Sequence, residues 1–231
     1  MAQVTSIRNA KKDHLLTPEN CLFAFIDYQP EQFRGVGSKS SSELLLNAIT
    51  LGKIARAFDV PTVVTTVGVQ MGVNQGTQKD LIDALPPQIE IDRTTLNSWE
   101  DENFLSAIVA SGRKKIVMAG LWTEVCVAYP TLDAIKDGYE VYPVIDAIGG
   151  VTKDSHEAAV QRMIQAGAIP VTALAIACEL QRDWARSQGH ALRTIMQDYF
   201  RQSRFLKEKA RENRQFDFDR NDINRPSQVT L

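Results

Sequence analysis

Apolar positions along this chain come in two rhythms. Leu22-Phe23-Ala24-Phe25-Ile26 is an unbroken run, short enough for a strand buried on both faces. Thr62-Val63-Val64-Thr65-Thr66, Ile116-Val117-Met118-Ala119 and Val141 to Ile145 read the same way, with Ile89-Glu90-Ile91 and Ile169-Pro170-Val171-Thr172 as weaker strands. Between the runs, apolar residues recur at helical spacing. Leu44, Ala48, Leu51, Ala55 and Phe58 form a stripe introduced by a capping box at Ser40 and Glu43 and ended by Pro61. Lys79 to Ala84, Glu100 to Ser111, Val125 to Asp137 and Lys153 to Ala166 are further helices. In the second of these, Phe104, Ile108 and Val109 point inward. Helical pattern resumes from Ala173 to about Arg211, whereas Pro30, Gly35 and Gly37, and the Gly- and Asn-rich residues 68 to 78, mark loops.

Strands alternating with helices at this spacing predict a three-layer α/β/α domain on a parallel sheet. That domain spans 1–189, and 190–231 is a C-terminal helix with a polar tail. Leu192, Ile195, Tyr199 and Leu206 line one side of this helix after the sheet is complete. A second copy of the chain must cover that stripe, making a homo-oligomer, or it folds back on its own domain. The tail from Asn213 is too polar to order by itself and is expected to be disordered unless a neighbouring subunit holds it.

At 231 residues, 44% hydrophobic and 23% charged, the chain suits one globular core. A net charge of −2 gives no footprint for nucleic acid. No apolar run approaches the roughly 20 residues of a membrane span, and Met1 to Lys12 lacks the apolar centre of a secretory signal. Three cysteines without framework spacing point to reduced thiols in a cytoplasmic setting.

In open α/β sheets, ligands bind at the carboxyl ends of the strands. Asp27 closes the first run, Arg93 follows the third strand, and Cys126 sits in the strand-to-helix turn after Ile116-Val117-Met118-Ala119. Helix N-terminal N–H groups are expected to lower the pKa of a thiol placed there and make it a nucleophile. Each residue also has a plain reading: Asp27 as a loop cap, Arg93 as a surface charge, Cys126 as a small buried side chain. The coincidence of base, cation and thiol at three equivalent edges is what favours chemistry. Trp122, Phe33 and Trp99 are candidate pocket walls or core. His14, His156 and His190 are scattered, no ligand cluster offers a metal site, and Gly35-Val36-Gly37 lacks the third glycine of a dinucleotide loop, so no cofactor is expected. Cys21 and Cys178 read as core thiols.

The stretches Leu22 to Gln29, Ile91 to Phe104, Gly120 to Val127 (GLWTEVCV) and Asp133 to Asp146 resemble the isochorismatase-like cysteine hydrolases, over residues 18 to 186. The run Arg93-Thr94-Thr95-Leu96-Asn97-Ser98-Trp99 resembles the YcaC-like branch of that family, in which the family lysine falls at Arg93. The resemblance implies a six-stranded sheet of order 3-2-1-4-5-6, with Asp27 and Cys126 facing each other at its switch point. It implies a catalytic set of Asp27, Arg93 and Cys126, an oxyanion turn at Trp122 and Thr123, and a cis peptide between those two. The function that follows is hydrolysis of a small amide or related C–N bond through a thioester. The alternative is an oligomeric small-molecule or thiol-sensing binding protein of the same fold with little turnover.

Overall fold

A computed structural model describes residues 9–223. Five parallel strands stand in the order 3-2-1-4-5: β1 (Cys21–Ile26), β2 (Thr62–Val67), β3 (Glu90–Arg93), β4 (Lys115–Gly120) and β5 (Glu140–Pro143). The expected sixth strand shrinks to an isolated bridge between Val144 and Val171. Pro170 has no N–H for a ladder, and Ile169 is 42% exposed, so neither hydrogen bonding nor burial extends the pairing.

Because side chains alternate across a strand, β1 feeds two cores. Phe23 and Phe25 point to one, with Leu44, Leu51 and Ile54 of α2 (Ser41–Ala57), Leu81 of α3 (Lys79–Ala84) and Ile176 and Leu180 of α7 (Ala173–Gln181). Leu22, Ala24 and Ile26 point to the other, with Phe104 and Ile108 of α4 (Glu102–Ala110), Ala128 and Ala134 of α5 (Ala128–Lys136) and Ala159 and Met163 of α6 (Lys153–Gln165). Val109, expected inside, is 66% exposed.

Local chemistry sets several boundaries. Ser40 caps α2 by accepting from the Glu43 N–H. Pro30, expected in a loop, instead starts a short helix, α1 (Pro30–Gly35), where its fixed φ suits the first turn. The expected continuous helix after Ala173 is broken at Arg182, whose φ of 58° turns the chain before α8 (Gly189–Ile223) begins. Leu192 is fully buried and Ile195 and Met196 pack on the same core, while Asp198 pairs with Lys53 of α2 at 2.6 Å. The first half of the C-terminal stripe therefore folds back on its own domain. The polar tail expected to be irregular from Asn213 continues as helix to Ile223, and its remainder lies outside the described residues.

Candidate active site

Three strand ends meet at one point. Asp27 follows β1 with a left-handed φ of 55°, a conformation that costs a non-glycine residue energy but that Asp tolerates better than most. Its N–H donates to Thr65 O at 2.9 Å, which fixes the turn against β2. Arg93, the last residue of β3, meets the carboxylate end-on: Nη1 donates to Oδ1 and Nη2 to Oδ2, each at 2.8 Å. Both side chains are fully buried. The remaining terminal donors go to Thr66 O at 3.0 Å and Leu96 O at 3.4 Å, so only the buried Nε of Arg93 lacks a partner. A guanidinium so occupied is a support for Asp27 and has little left for a substrate carboxylate.

Cys126 lies on a π-helical turn, Thr123–Val127, that leads from β4 into α5. Its thiol sits against Asp27, with Arg93 also in reach, and the Trp122 amide is directed at the sulfur. The expected lowering of its pKa is reversed. Burial, then the charge and hydrogen bond of Asp27, push the thiol up to about 12, against the opposing pull of Arg93 and the Trp122 N–H. The resting residue is a neutral thiol because burial, reinforced by the Asp27 carboxylate, outweighs Arg93 and the Trp122 N–H. Burial raises Asp27 above the ordinary carboxylate range, opposed by the two hydrogen bonds from Arg93. Burial would lower Arg93, but Asp27 more than compensates and holds it charged.

The turn after β4 is shifted by one residue from the register expected for it. The cis peptide joins Leu121 to Trp122, not Trp122 to Thr123. Thr123 already belongs to the helical turn and its N–H donates to Gly149 O at 3.0 Å, so the free amide beside the sulfur is that of Trp122. The Trp122 ring packs over Gly35, where a Cβ would lie 2.4 Å from ring atom Cζ2, and its Nε1 donates to Gln32 O at 2.8 Å.

The other proposed walls have structural duties. Phe33 joins the cluster on the Phe25 side of the sheet, 5.9 Å from the Tyr28 ring, whereas Cys126 joins the opposite cluster. Trp99 packs edge-on against Phe104 and Tyr139 and donates to Asp137 at 2.8 Å. Asn97 donates to Asp133 at 2.8 Å, so the segment after Arg93 is clamped to α5 and to the residue that caps its C-terminus. A cavity of about 640 Å³ lined by Asp13, Glu19, Arg182 and Arg186 opens beside the segment that precedes β1, at the other end of the strands. Cys178 is exposed, not in the core as expected, while Cys21 is buried.

Two participants left no trace in the pattern. Gln29 is buried and bridges β2 to the 68–78 loop, accepting from Val67 N and donating to Val67 O and Gln75 O. His156, read as scattered, is buried and bonds Thr123 Oγ1 through Nδ1 at 2.8 Å. No sequence spacing links positions so far apart in the chain. Among the described residues no group of three or more His, Cys, Asp or Glu is placed to hold a metal, and no helix is long and apolar enough to cross a membrane.

The isochorismatase domain model matches residues 21–175, which takes in all three strand-end residues. The chain belongs to the isochorismatase family. Within this family of hydrolases it is similar to the probable hydrolase YcaC of Escherichia coli, 35% identical over 174 residues that cover 75% of this chain and 77% of the relative. Two solved structures resemble it over nearly their whole length. YcaC from Pseudomonas aeruginosa, with hexane-2,5-diol and covalent acrylamide, has a TM-score of 0.77 and 31% identity, covering 85% of this chain and 98% of that one. The YcaC gene product of E. coli, described as an octameric hydrolase of unknown specificity, has a TM-score of 0.78 and 32% identity, covering 87% and 98%.

Proposed function

We propose that the protein is a cysteine hydrolase that cleaves a small amide or related C–N bond through a thioester on Cys126. One observation carries this reading: a buried carboxylate fixed by Arg93 lies against a thiol, with the Trp122 amide directed at the same sulfur. Asp27, ionised beside Arg93, takes the thiol proton as sulfur bonds to the substrate carbonyl carbon. Burial and Asp27 keep the resting thiol protonated, so attack requires Asp27 to accept its proton. The Trp122 N–H, with that of Cys126, holds the developing oxyanion. The proton passes to the nitrogen leaving group, ammonia or an amine departs, and a thioester remains. Water, deprotonated by Asp27, attacks the thioester carbonyl. Asp27 returns that proton to the departing sulfur, which restores the thiol, and the carboxylic acid leaves, losing its own proton to solvent.

Arg93 keeps Asp27 ionised and takes no proton itself. The covalent acrylamide in the P. aeruginosa relative supports the reading, since acrylamide is an amide-bearing electrophile that adds to thiols. The octameric E. coli relative supports a homo-oligomer, and the unpaired, reduced cysteines support a cytoplasmic enzyme.

Quenched-flow incubation with a panel of small primary amides and activated esters, read by intact-protein mass spectrometry, tests the function. An acyl adduct that maps to Cys126 and turns over supports it. An adduct that forms and never turns over favours the thiol-binding alternative.

A further inference from the structure

The residues after β5 strap the nucleophile turn in place. Gly149 O accepts from Thr123 N, and Val151 N donates to Glu124 Oε1 at 2.9 Å. Leu121 bridges Gly149. The strap is held from behind by the 37–39 loop: Gly150 O accepts from Gly37 N and Ser38 N, Gly150 N donates to Ser38 Oγ at 2.8 Å, and Lys39 donates to Ile145 O and Ile148 O. The crossing is tight. A Cβ at Gly150 would stand 2.4 Å from Glu124 Oε2 and 3.0 Å from His156 Cβ.

One contact in this assembly comes from a side chain with no other stated duty. His156, in the first turns of α6, reaches Thr123 Oγ1 at 2.8 Å, and both residues are buried. Burial pushes the imidazole down to about 4, so it is neutral at physiological pH. In either tautomer Nδ1 and the hydroxyl satisfy each other. Thr123 is the residue next to Trp122. Its N–H and its hydroxyl are held by the strap and α6, and on the other flank the Leu121 N–H donates to Ile26 O at 3.0 Å, so the Leu121–Trp122 peptide, which carries the Trp122 N–H, is held from both sides.

We propose that His156, acting through Thr123, is a positioning residue that aims the Trp122 amide at the oxyanion of the reacting acyl group. The inference rests on the reading of Cys126 as an acyl-accepting nucleophile. It separates two reactions of the same thiol. Acylation by p-nitrophenyl acetate forms a sulfur–acetyl bond, expels p-nitrophenolate, delivers the thiol proton to Asp27 and passes through an oxyanion. Alkylation by iodoacetamide forms a sulfur–methylene bond, expels iodide, likewise delivers the thiol proton to Asp27, and builds no oxyanion.

The test compares both rates at Cys126 in the full chain, for wild type and for His156→Ala, Thr123→Val and the rescue variants His156→Asn and Thr123→Ser. In His156→Ala and Thr123→Val, acylation should slow about tenfold, the scale of one lost buried hydrogen bond, while alkylation changes less than about twofold. The two rescue variants should recover most of the loss. Thr123→Val is nearly isosteric and keeps the test available if His156→Ala does not fold. Both rates falling together, or neither falling, overturns the inference, because a merely structural contact would not single out the oxyanion step. Wild-type protein that alkylates at Cys126 but is never acylated there overturns the hydrolase reading, and this inference with it.

Discussion

Replacing Arg93 with alanine strips a fully buried carboxylate of all its charged support. Asp27 loses a hydrogen bond to each carboxylate oxygen, and among the described residues Arg93 is the cation paired with it. It has two costly options: remain ionised in a dry site, or take up a proton. Protonating a carboxyl with the ordinary unfolded-chain pKa of ~3.9 costs about 4 kcal/mol at pH 7 and about 1.5 kcal/mol at pH 5. Removing one partner of a buried pair costs about 3–5 kcal/mol, which agrees. The sign follows from the raised folded-state pKa of Asp27, raised further in the variant. Such a group contributes its full stability below the unfolded pKa and loses it as pH rises through the folded value. Relative to wild type, Arg93→Ala should thus be only mildly destabilised at pH 5 and severely so at pH 8. Urea unfolding followed by tryptophan fluorescence at several pH values measures this. At neutral pH the melting temperature should fall by roughly 6–20 °C for a chain of this size. Amide turnover should vanish with the ionised base. A deficit below about 1 kcal/mol, or one that is flat between pH 5 and 8, would show that Arg93 is not the support of Asp27.

Three further outcomes follow from the same geometry. Asp27→Asn removes the charge that raises the thiol and leaves Arg93 to stabilise a thiolate, so Cys126 should titrate below its wild-type value of about 12 and alkylate faster at neutral pH while amide turnover is lost; parallel loss of both activities would refute the separation of base and cation. In wild type, exposed Cys178 should label first with iodoacetamide, and Cys21, buried and also pushed up to about 12, should label last; mass spectrometry that finds Cys21 ahead of Cys126 contradicts the burial pattern. Light scattering should find the full chain as a homo-oligomer, with Phe200 and Phe205, 48% and 62% exposed on α8, as apolar surface to cover; a monomer refutes the assembly, and an oligomer that survives Phe205→Glu places the interface elsewhere.

What could be read from the chain was local. Leu22 to Ile26 and Ile116 to Ala119 are unbroken apolar runs, and a strand buried on both faces needs nothing else to announce itself. Asp27, Arg93 and Cys126 stood out because each closes or follows a strand at the same edge of the sheet. Only the stretch Arg93 shares with related chains set it apart from an ordinary surface charge. The misses were non-local or lay in backbone detail. Nothing at Arg182 signals a left-handed residue, where glycine would have done so. The lowered pKa expected for Cys126 from a helix terminus and a nearby cation left out burial, the larger effect, which only the packed fold supplies. His156 sits on an ordinary amphipathic helix, and its partner Thr123 is 33 residues away.

The truncated strand beyond β5 also decides how copies of this chain can meet. In a parallel ladder, alternate residues aim their N–H groups to opposite sides. Ile169 and Val171 donate inward, to Val141 O and Pro143 O. The outward donor of that segment belongs to position 170, and proline has none. An incoming strand would find no N–H at the centre of this edge, so the sheet is sealed against extension there. Any self-association on this side would have to go through helices and loops, and the same proline guards the fold against edge-to-edge aggregation.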